Sequence, residues 1–386
     1  MRPTIILTSL WLAASLHAET TLPGGWVLES MQTLGTPQGE GNVIGCPLGK
    51  RGVLFGGQTG ASPRPGGVFV ARFNSDETEP TWTTQFPMQD GGSLQAISRH
   101  WWGGIRVATR VQPDEIDSVK RLDKRGREVW SVELPNQEMV LGLSQGGWGC
   151  TTVLTSTIPS PRQFYLRKLN ASGREVRKQQ IDFGFETGLI AQSHALTPKG
   201  SHLFGLRYDN RRGSYHTAAA MCDADGRVNW TWKADPPSNA IPKDVACDEQ
   251  GRSYVAGNGL VFVLSTDGKE LARRKITDES RFVSIWQIVP RPGGGAYVVT
   301  TLSGAPGKLT IFTLDANHTV TGHTILDPNS SVFVDSAWVD DCHRLVLTGT
   351  FKATLFGKGP TGEGTKRHSD PFIVRLRPPV ESHQGR

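Results

Sequence analysis

The sequence predicts an all-β chain: a single seven-bladed β-propeller of four-stranded antiparallel blades, closed by an N-terminal strand that pairs into the last blade. Three observations lead there. The 386 residues include 45 Gly and 24 Pro, a turn-dense composition that still falls well short of collagen or a low-complexity linker. A strand-and-turn unit recurs along most of the chain. No stretch carries a capped 3.6-residue apolar repeat, so helices are expected to be nearly absent.

The chain opens with MRPTIILTSLWLAASLHA. Arg2 forms a short basic region, residues 5–16 an apolar core, and Ala18 a small residue before a cleavage point. That is the pattern of a secretory signal peptide, too short and wrongly flanked for a spanning helix. Residues 1–18 are therefore expected to be removed and the product to be secreted or periplasmic. Residues 19–378 would form the propeller, and 379–386 a disordered tail. Cleavage removes one Arg, leaving 41 basic residues against 36 acidic ones. So mild a charge, with both signs interspersed, argues against a nucleic-acid binder and fits a soluble monomer that tolerates anionic ligands. Nothing beyond residue 18 is long and apolar enough to span a membrane as a helix. Five cysteines remain after cleavage, none in a C-x-x-C or metal-ligand spacing, and they read as single thiols on strands.

The repeat appears at 67–82, 118–130, 163–176, 217–230, 260–271 and 309–320, with a truncated copy at 370–378. Its turn residues Gly126, Gly173, Gly226, Gly268 and Asn317 stand 47, 53, 42 and 49 residues apart. A period of that size in a strand-rich chain is the mark of propeller blades. The second unit shows the pattern in full, with strands expected over 94–99, 104–111, 118–123 and 127–134. Gly, Asp and Asn sit in the turns between them, as tight hairpins require. The last unit has three strands, over 332–338, 343–351 and 372–376, and then the chain ends. Residues 25–31 form an orphan strand ahead of the first unit. Pairing that orphan into the seventh blade closes the ring and covers two sheet edges.

Two motifs carry a family resemblance. Asp123-x-x-Gly126-x-x-x-Trp130 and Asp223-x-x-Gly226-x-x-x-Trp230 resemble the tryptophan-docking pattern of PQQ-like β-propeller repeats. There an outer-strand Trp packs onto the neighbouring blade. Residues 348–376, with a T-G-x-F start and a D-x-F-I-V-x-L finish, resemble the SBBP bacterial propeller repeat. The third unit departs from the pattern, with Val176 and Arg177 where a Trp would stand. The resemblance implies an architecture and no activity. True PQQ dehydrogenases are larger eight-bladed rings with a calcium site and a disulfide beside the cofactor. This chain has neither the length nor the adjacent cysteines, so no cofactor is expected.

Individual motifs weigh little as catalysts. Gly142-Leu143-Ser144-Gln145-Gly146 matches G-x-S-x-G, but it precedes another strand and reads as a hairpin turn rather than a nucleophile elbow. Asp223-Ala224-Asp225-Gly226 begins like a calcium loop but lacks the later ligands, and the turn's own backbone explains it better. His194 and His202 flank a hairpin, and no metal site is expected from them. Trp101-Trp102 falls in a turn, where stacking on sugar rings competes with packing.

The loops carry more. In a propeller the loops joining second to third strands, and one blade to the next, gather on one face. That face receives Arg64, Arg110, Arg162, Arg207, Arg211 and Arg212, with Tyr208, Tyr215 and His216, and the seventh-blade loop bearing Lys358, Lys366, Arg367 and His368. Converging guanidiniums would form an anion-binding funnel. The expected function is a non-enzymatic binding or scaffold module for a protein or an anionic polysaccharide, held by Arg110, Arg162, Arg207, Arg211 and Arg212. The alternative is a propeller polysaccharide lyase acting on uronate polymers, with Tyr208, Tyr215 and His216 moving protons beside cations that neutralise the uronate.

Overall fold

The computed structural model describes residues 12–16, 19–35, 40–49, 52–59, 67–74, 79–86, 88, 92–100, 104–111, 116–146, 149–157, 162–185, 189–209, 215–235, 240–277, 283–302, 308–327, 332–351, 355–356 and 370–379. Seven antiparallel sheets account for nearly all of them. Blade 1 covers 40–86, blade 2 covers 92–133, blade 3 covers 138–181, blade 4 covers 189–233, blade 5 covers 244–275 and blade 6 covers 283–327. Blade 7 takes Val332–Val339, Leu345–Phe351 and Asp370–Arg377 from the end of the chain and Val27–Gly35 from its beginning. Within each blade the strands follow in order from the innermost to the outermost. Each innermost strand touches its two counterparts in the adjacent blades, and the seventh touches the first, so the ring is closed. Helical structure among the described residues is confined to 3-10 turns, at Pro23–Gly25 and at Gly149.

The packing explains the hydrophobic pattern. The second and third strands of a blade are covered on both sides by neighbouring blades, as in Thr151–Thr157 and Leu345–Phe351, and nearly every residue there is buried. Outer strands meet solvent. Glu175–Ile181 is exposed up to its last residue. Six of the seven innermost strands break register with their neighbours at a β-bulge, for instance between Val140 and Gly142 and between Val334 and Ser336. Blade 2 runs as Gly92–Arg99, Ile105–Val111, Ile116–Leu122 and Glu128–Glu133, close to the sequence reading.

Closure follows the expected route. Val27 pairs with Arg377, Met31 with Val374 and Thr33 with Phe372. Trp26, Leu28 and Met31 are buried against Leu345, Leu347 and Val374. Leu12–Leu16 pairs in turn with the outer edge of Val27–Gly35, and Thr20–Thr21 pairs with its start. Leu12–Leu16 falls inside the expected leader, so cleavage after Ala18 would leave Val27–Gly35 as the outermost long strand, covered only at its start by Thr20–Thr21.

The outer hairpin turns are built alike. Asp123 Oδ1 accepts the backbone N–H groups of Arg125 and Arg127, at 2.8 and 3.0 Å. Asn170, Asp223 and Asp315 do the same in their own turns, and Asp340 does so in the innermost hairpin of blade 7. The carboxylate at Asp223 is thus spent on its own backbone, which is why the calcium-like spelling recurs at turns. Gly126, Gly173, Gly226 and Gly268 take φ between 79° and 86°. In blade 6 the left-handed residue is His318 (φ 61°), not the expected Asn317, because Asp315 opens the turn one residue later than the spacing implied.

Tryptophan docking is visible at three seams. Trp82 Nε1 donates to the carbonyl of Lys124 at 2.9 Å, Trp130 to Ala171 at 3.0 Å and Trp230 to Thr266 at 3.1 Å. Each indole lies over the turn glycine of the next blade. A Cβ at Gly173 would sit 2.8 Å from the Trp130 ring, so that glycine is required by contact as well as by φ. At the blade 3–4 seam Arg177 stands in the Trp position and pairs with Asp225 at 3.1 Å instead. The G-x-S-x-G reading needs correction. Ser144 is a buried residue of the strand Glu138–Gln145, and the turn begins only after it.

Candidate functional site

The face gathering the second-to-third-strand loops and the blade-to-blade loops is called the upper face here. Arg211 and Arg212 lie outside the described residues, as do Arg64, Trp101, Trp102, Lys358, Lys366, Arg367 and His368. Arg162 is half-buried just ahead of Phe164–Leu169. Arg110 is committed to an ion pair, its Nε 2.6 Å from Oδ1 of the fully buried Asp117. The other carboxylate oxygen of Asp117 accepts the N–H of Val140 in blade 3 at 2.6 Å. Arg110 therefore helps lock the blade 2–3 seam.

Blade 4 presents the remaining candidates on two sides of one sheet. Tyr208 pairs across strands with His216, whereas Arg207 pairs with Thr217 and Asp209 with Tyr215. Alternation sends Tyr208 and His216 toward blade 3 and Arg207 and Tyr215 toward blade 5. On the blade 5 side the Arg207 guanidinium stacks 3.1 Å from the centre of the Tyr215 ring, and that ring is 43% exposed. Arg207 Nε has no hydrogen-bond partner among the described residues. On the blade 3 side the Tyr208 ring lies 5.3 Å from His216 and 5.7 Å from Phe185. Lys233 Nζ sits over both Phe185 and Tyr208, at 4.8 and 5.2 Å. Burial, helped by the charge of Asp235, pushes the Tyr208 hydroxyl up from its ordinary value, so it is held neutral.

The sequence reading named neither Phe185 nor Lys233. The run DFGFETG between blades 3 and 4, and the alternating WTWKAD that ends blade 4, were the available signals. It also missed two carboxylates on the innermost strands. Asp244 accepts the N–H of Ile288 at 2.8 Å across the blade 5–6 seam. Asp335 accepts the N–H of Val43 at 3.2 Å across the closing seam, where Ser336 Oγ accepts that of Gly45. Enclosure by protein pushes Asp244 up to about 7 and Asp335 up to about 6.

The two histidines flanking the blade 4 hairpin meet face to face. His194 Nε2 lies 3.0 Å from His202 Nδ1, and the rings stack at 5.2 Å. Burial lowers them to about 3 and about 4, so both stay neutral near physiological pH. None of the five cysteines is in a disulfide, and burial raises Cys46 and Cys247 to about 11 and Cys222 to about 12. No helix among the described residues is long and apolar enough to cross a membrane.

No family model and no curated protein sequence matches the chain. Solved structures do. Virginiamycin B lyase from Staphylococcus aureus aligns over 95% of this chain and 99% of its own at 12% identity, with a TM-score of 0.56. Sqt1 from Chaetomium thermophilum covers 89% and 97% at 13% identity, with a TM-score of 0.52. A complex of BBS1N with ARL6DN covers 97% and 99% at 13% identity, with a TM-score of 0.51. At these identities the likeness is one of fold, and it extends over nearly the whole chain.

Proposed function

We propose that this chain is an exported β-propeller of PQQ-like or SBBP type. In this reading it works without a cofactor as a non-enzymatic binding module, and its upper face holds an anionic polymer. The observation that carries the proposal is the pair of cation–aromatic stacks on blade 4. Arg207 on Tyr215, and Lys233 over Phe185 and Tyr208, fix two cations at the rim without ion pairs among the described residues. A guanidinium held flat on a ring keeps its planar donors pointed outward for a carboxylate or sulfate, and little side-chain entropy is lost on binding. Arg211 and Arg212 belong to the loop between these positions, and Arg162 to the blade 3 loop beside it.

A uronate lyase is less well supported. Its proposed proton carriers are divided, Tyr215 on one side of the sheet and Tyr208 with His216 on the other. A Tyr208 hydroxyl pushed upward is also a poor base at neutral pH. Polygalacturonate, alginate and heparin, titrated at about 25 and 150 mM salt, test the proposal. Saturable, salt-weakened binding is expected, lowered at least tenfold in Arg207→Ala with Lys233→Ala. Absence of binding to all three by folded protein would overturn it. So would release of ultraviolet-absorbing unsaturated product.

A further inference from the structure

The seam between blades 1 and 2 is built differently from those between blades 4 and 5 and between blades 5 and 6. Residues one, three and five places before the outer turn of a blade face the preceding blade. Three places before the turn, blade 5 has Phe262 and blade 6 has Phe312, both fully buried and packed against the blade before them. Blade 4 has Ala220 there, and blade 3 has Arg167, buried in an ion pair with Glu138. Blade 2 has Lys120, with Ser118 two places earlier. The apolar packing of this seam, from Leu54, Val68 and Val70 to Ile105, Val107 and Leu122, stops short of them.

What remains is a cleft of about 440 Å³, lined by Phe86, Met88, Thr109, Val111, Ile116, Ser118, Lys120, Ser131 and Glu133. Its size lies within the range of small-molecule sites. One wall is apolar, with the Phe86 ring and the Met88 thioether. The opposite wall, on blade 2, mixes Val111 and Ile116 with polar side chains. Thr109 Oγ1 and Ser118 Oγ share a hydrogen bond at 2.9 Å. Lys120 Nζ donates to Ser131 Oγ at 2.9 Å, reaches Glu128 Oε2 at 3.5 Å and lies 5.5 Å from the Phe86 ring centre. Glu133 stands exposed at the rim.

We infer that this cleft binds a short neutral saccharide. A sugar ring presents an apolar C–H face and a rim of hydroxyls, each both donor and acceptor. The cleft offers the Phe86 ring for the first, and the Ser131 hydroxyl, an ammonium donor and a carboxylate acceptor for the second, the Thr109 and Ser118 hydroxyls being buried and bonded to each other. Lys120 and its two acidic neighbours leave no excess positive charge, which disfavours an anion. The site is separate from the blade 4 rim and does not depend on the function proposed there.

Saturation-transfer NMR with methyl β-D-glucoside, methyl β-D-galactoside, methyl N-acetyl-β-D-glucosaminide, cellobiose and maltose tests the inference. At least one probe should give a saturable signal below about 10 mM, an affinity ordinary for an open site. Lys120→Phe restores the packing of blades 5 and 6, and should abolish that signal while leaving the melting temperature the same or higher. Glu133→Gln, at an exposed position, should weaken binding several-fold without touching the fold. Silence from all five probes on folded wild-type protein would overturn the inference. A signal unchanged in both variants would do the same, because the sugar would then sit elsewhere.

Discussion

Removing residues 19–35 from a chain that begins at residue 19 should abolish its cooperative melt. The deletion takes Trp26, Leu28 and Met31 out of the blade 7 core, where they are 2%, 1% and 0% exposed. Truncating a buried Trp costs about 3–5 kcal/mol, and a buried Leu or Met about 2–5 kcal/mol each. The deletion also strips Arg375, itself buried, of Ser30 Oγ and Gln32 Oε1, both at 3.2 Å from its Nη1. A hydrogen bond to a charged group is worth about 1.5–3 kcal/mol. Even the low ends of these ranges together rival the ~5–15 kcal/mol that holds a typical domain folded. The outer edge of Asp370–Arg377 would be bared as well, inviting association between chains. Calorimetry and far-ultraviolet circular dichroism on chains starting at residue 19 and at residue 36 give the answer. A truncated chain that melts cooperatively at the parent temperature would refute the closure energetics. Met31→Ala, predicted to cost about 2–5 kcal/mol, grades the same effect in a chain that still folds.

Other outcomes follow from single contacts. Trp130→Phe keeps most of the packing but removes the N–H donated to Ala171, and should lower stability by about 0.5–1.5 kcal/mol in urea titrations. His194 and His202 have lowered folded values, so the unfolded chain binds more protons between about pH 4 and 6.5 and their contribution is lost as pH falls through that window. His202→Gln should flatten that acid limb in denaturation curves at pH 4, 5.5 and 7. Thiol labelling of native protein should modify the exposed Cys342 quickly and the half-buried Cys46 and Cys247, with their raised thiols, more slowly, whereas the buried Cys222 reacts on the timescale of unfolding.

Blade number and strand order were legible because each rests on local chemistry that recurs from blade to blade, and the closing strand because the last unit is one strand short. Asp or Asn opens a turn, a positive-φ residue closes it, and alternating apolar residues follow. The Trp130 and Trp230 docking contacts were legible for the same reason. The blade 4 rim was legible only as a set of residues on one loop pair. Whether Tyr208 and Tyr215 share a side depends on strand register, and a step of one residue reverses the answer. Lys233 and Phe185 were invisible because one ends an outer strand and the other sits in a blade-to-blade loop, 48 positions apart in number and joined only by the ring. The blade 1–2 cleft became visible only when Lys120 was set against Phe262 and Phe312, a comparison that needs the blades in register.

The innermost strands pose a problem common to every propeller: their inner edges leave N–H groups with no sheet partner. Here three seams answer it with a carboxyl group, through Asp117 to Val140, Asp244 to Ile288 and Asp335 to Val43. The three do not occupy one repeat position, since Asp117 is on a third strand and the others are on first strands, so no periodicity reveals them. A carboxyl group raised on folding binds more protons folded than unfolded, so its favourable contribution is present below about pH 4 and is lost as pH rises toward 6–7. That slope opposes the histidine slope over much of the same window. Asp244→Asn retains an acceptor for the Ile288 N–H while removing the ionisation, and should stabilise the chain by on the order of 1–3 kcal/mol at pH 8 with little change at pH 4. With Asp244→Asn in place, only Asp335 still opposes the histidines in the pH 4–6.5 window, and stability should climb through it more steeply than in the parent. An unchanged climb would mean that Asp244 is ionised throughout, and that the seam holds a charge rather than a proton.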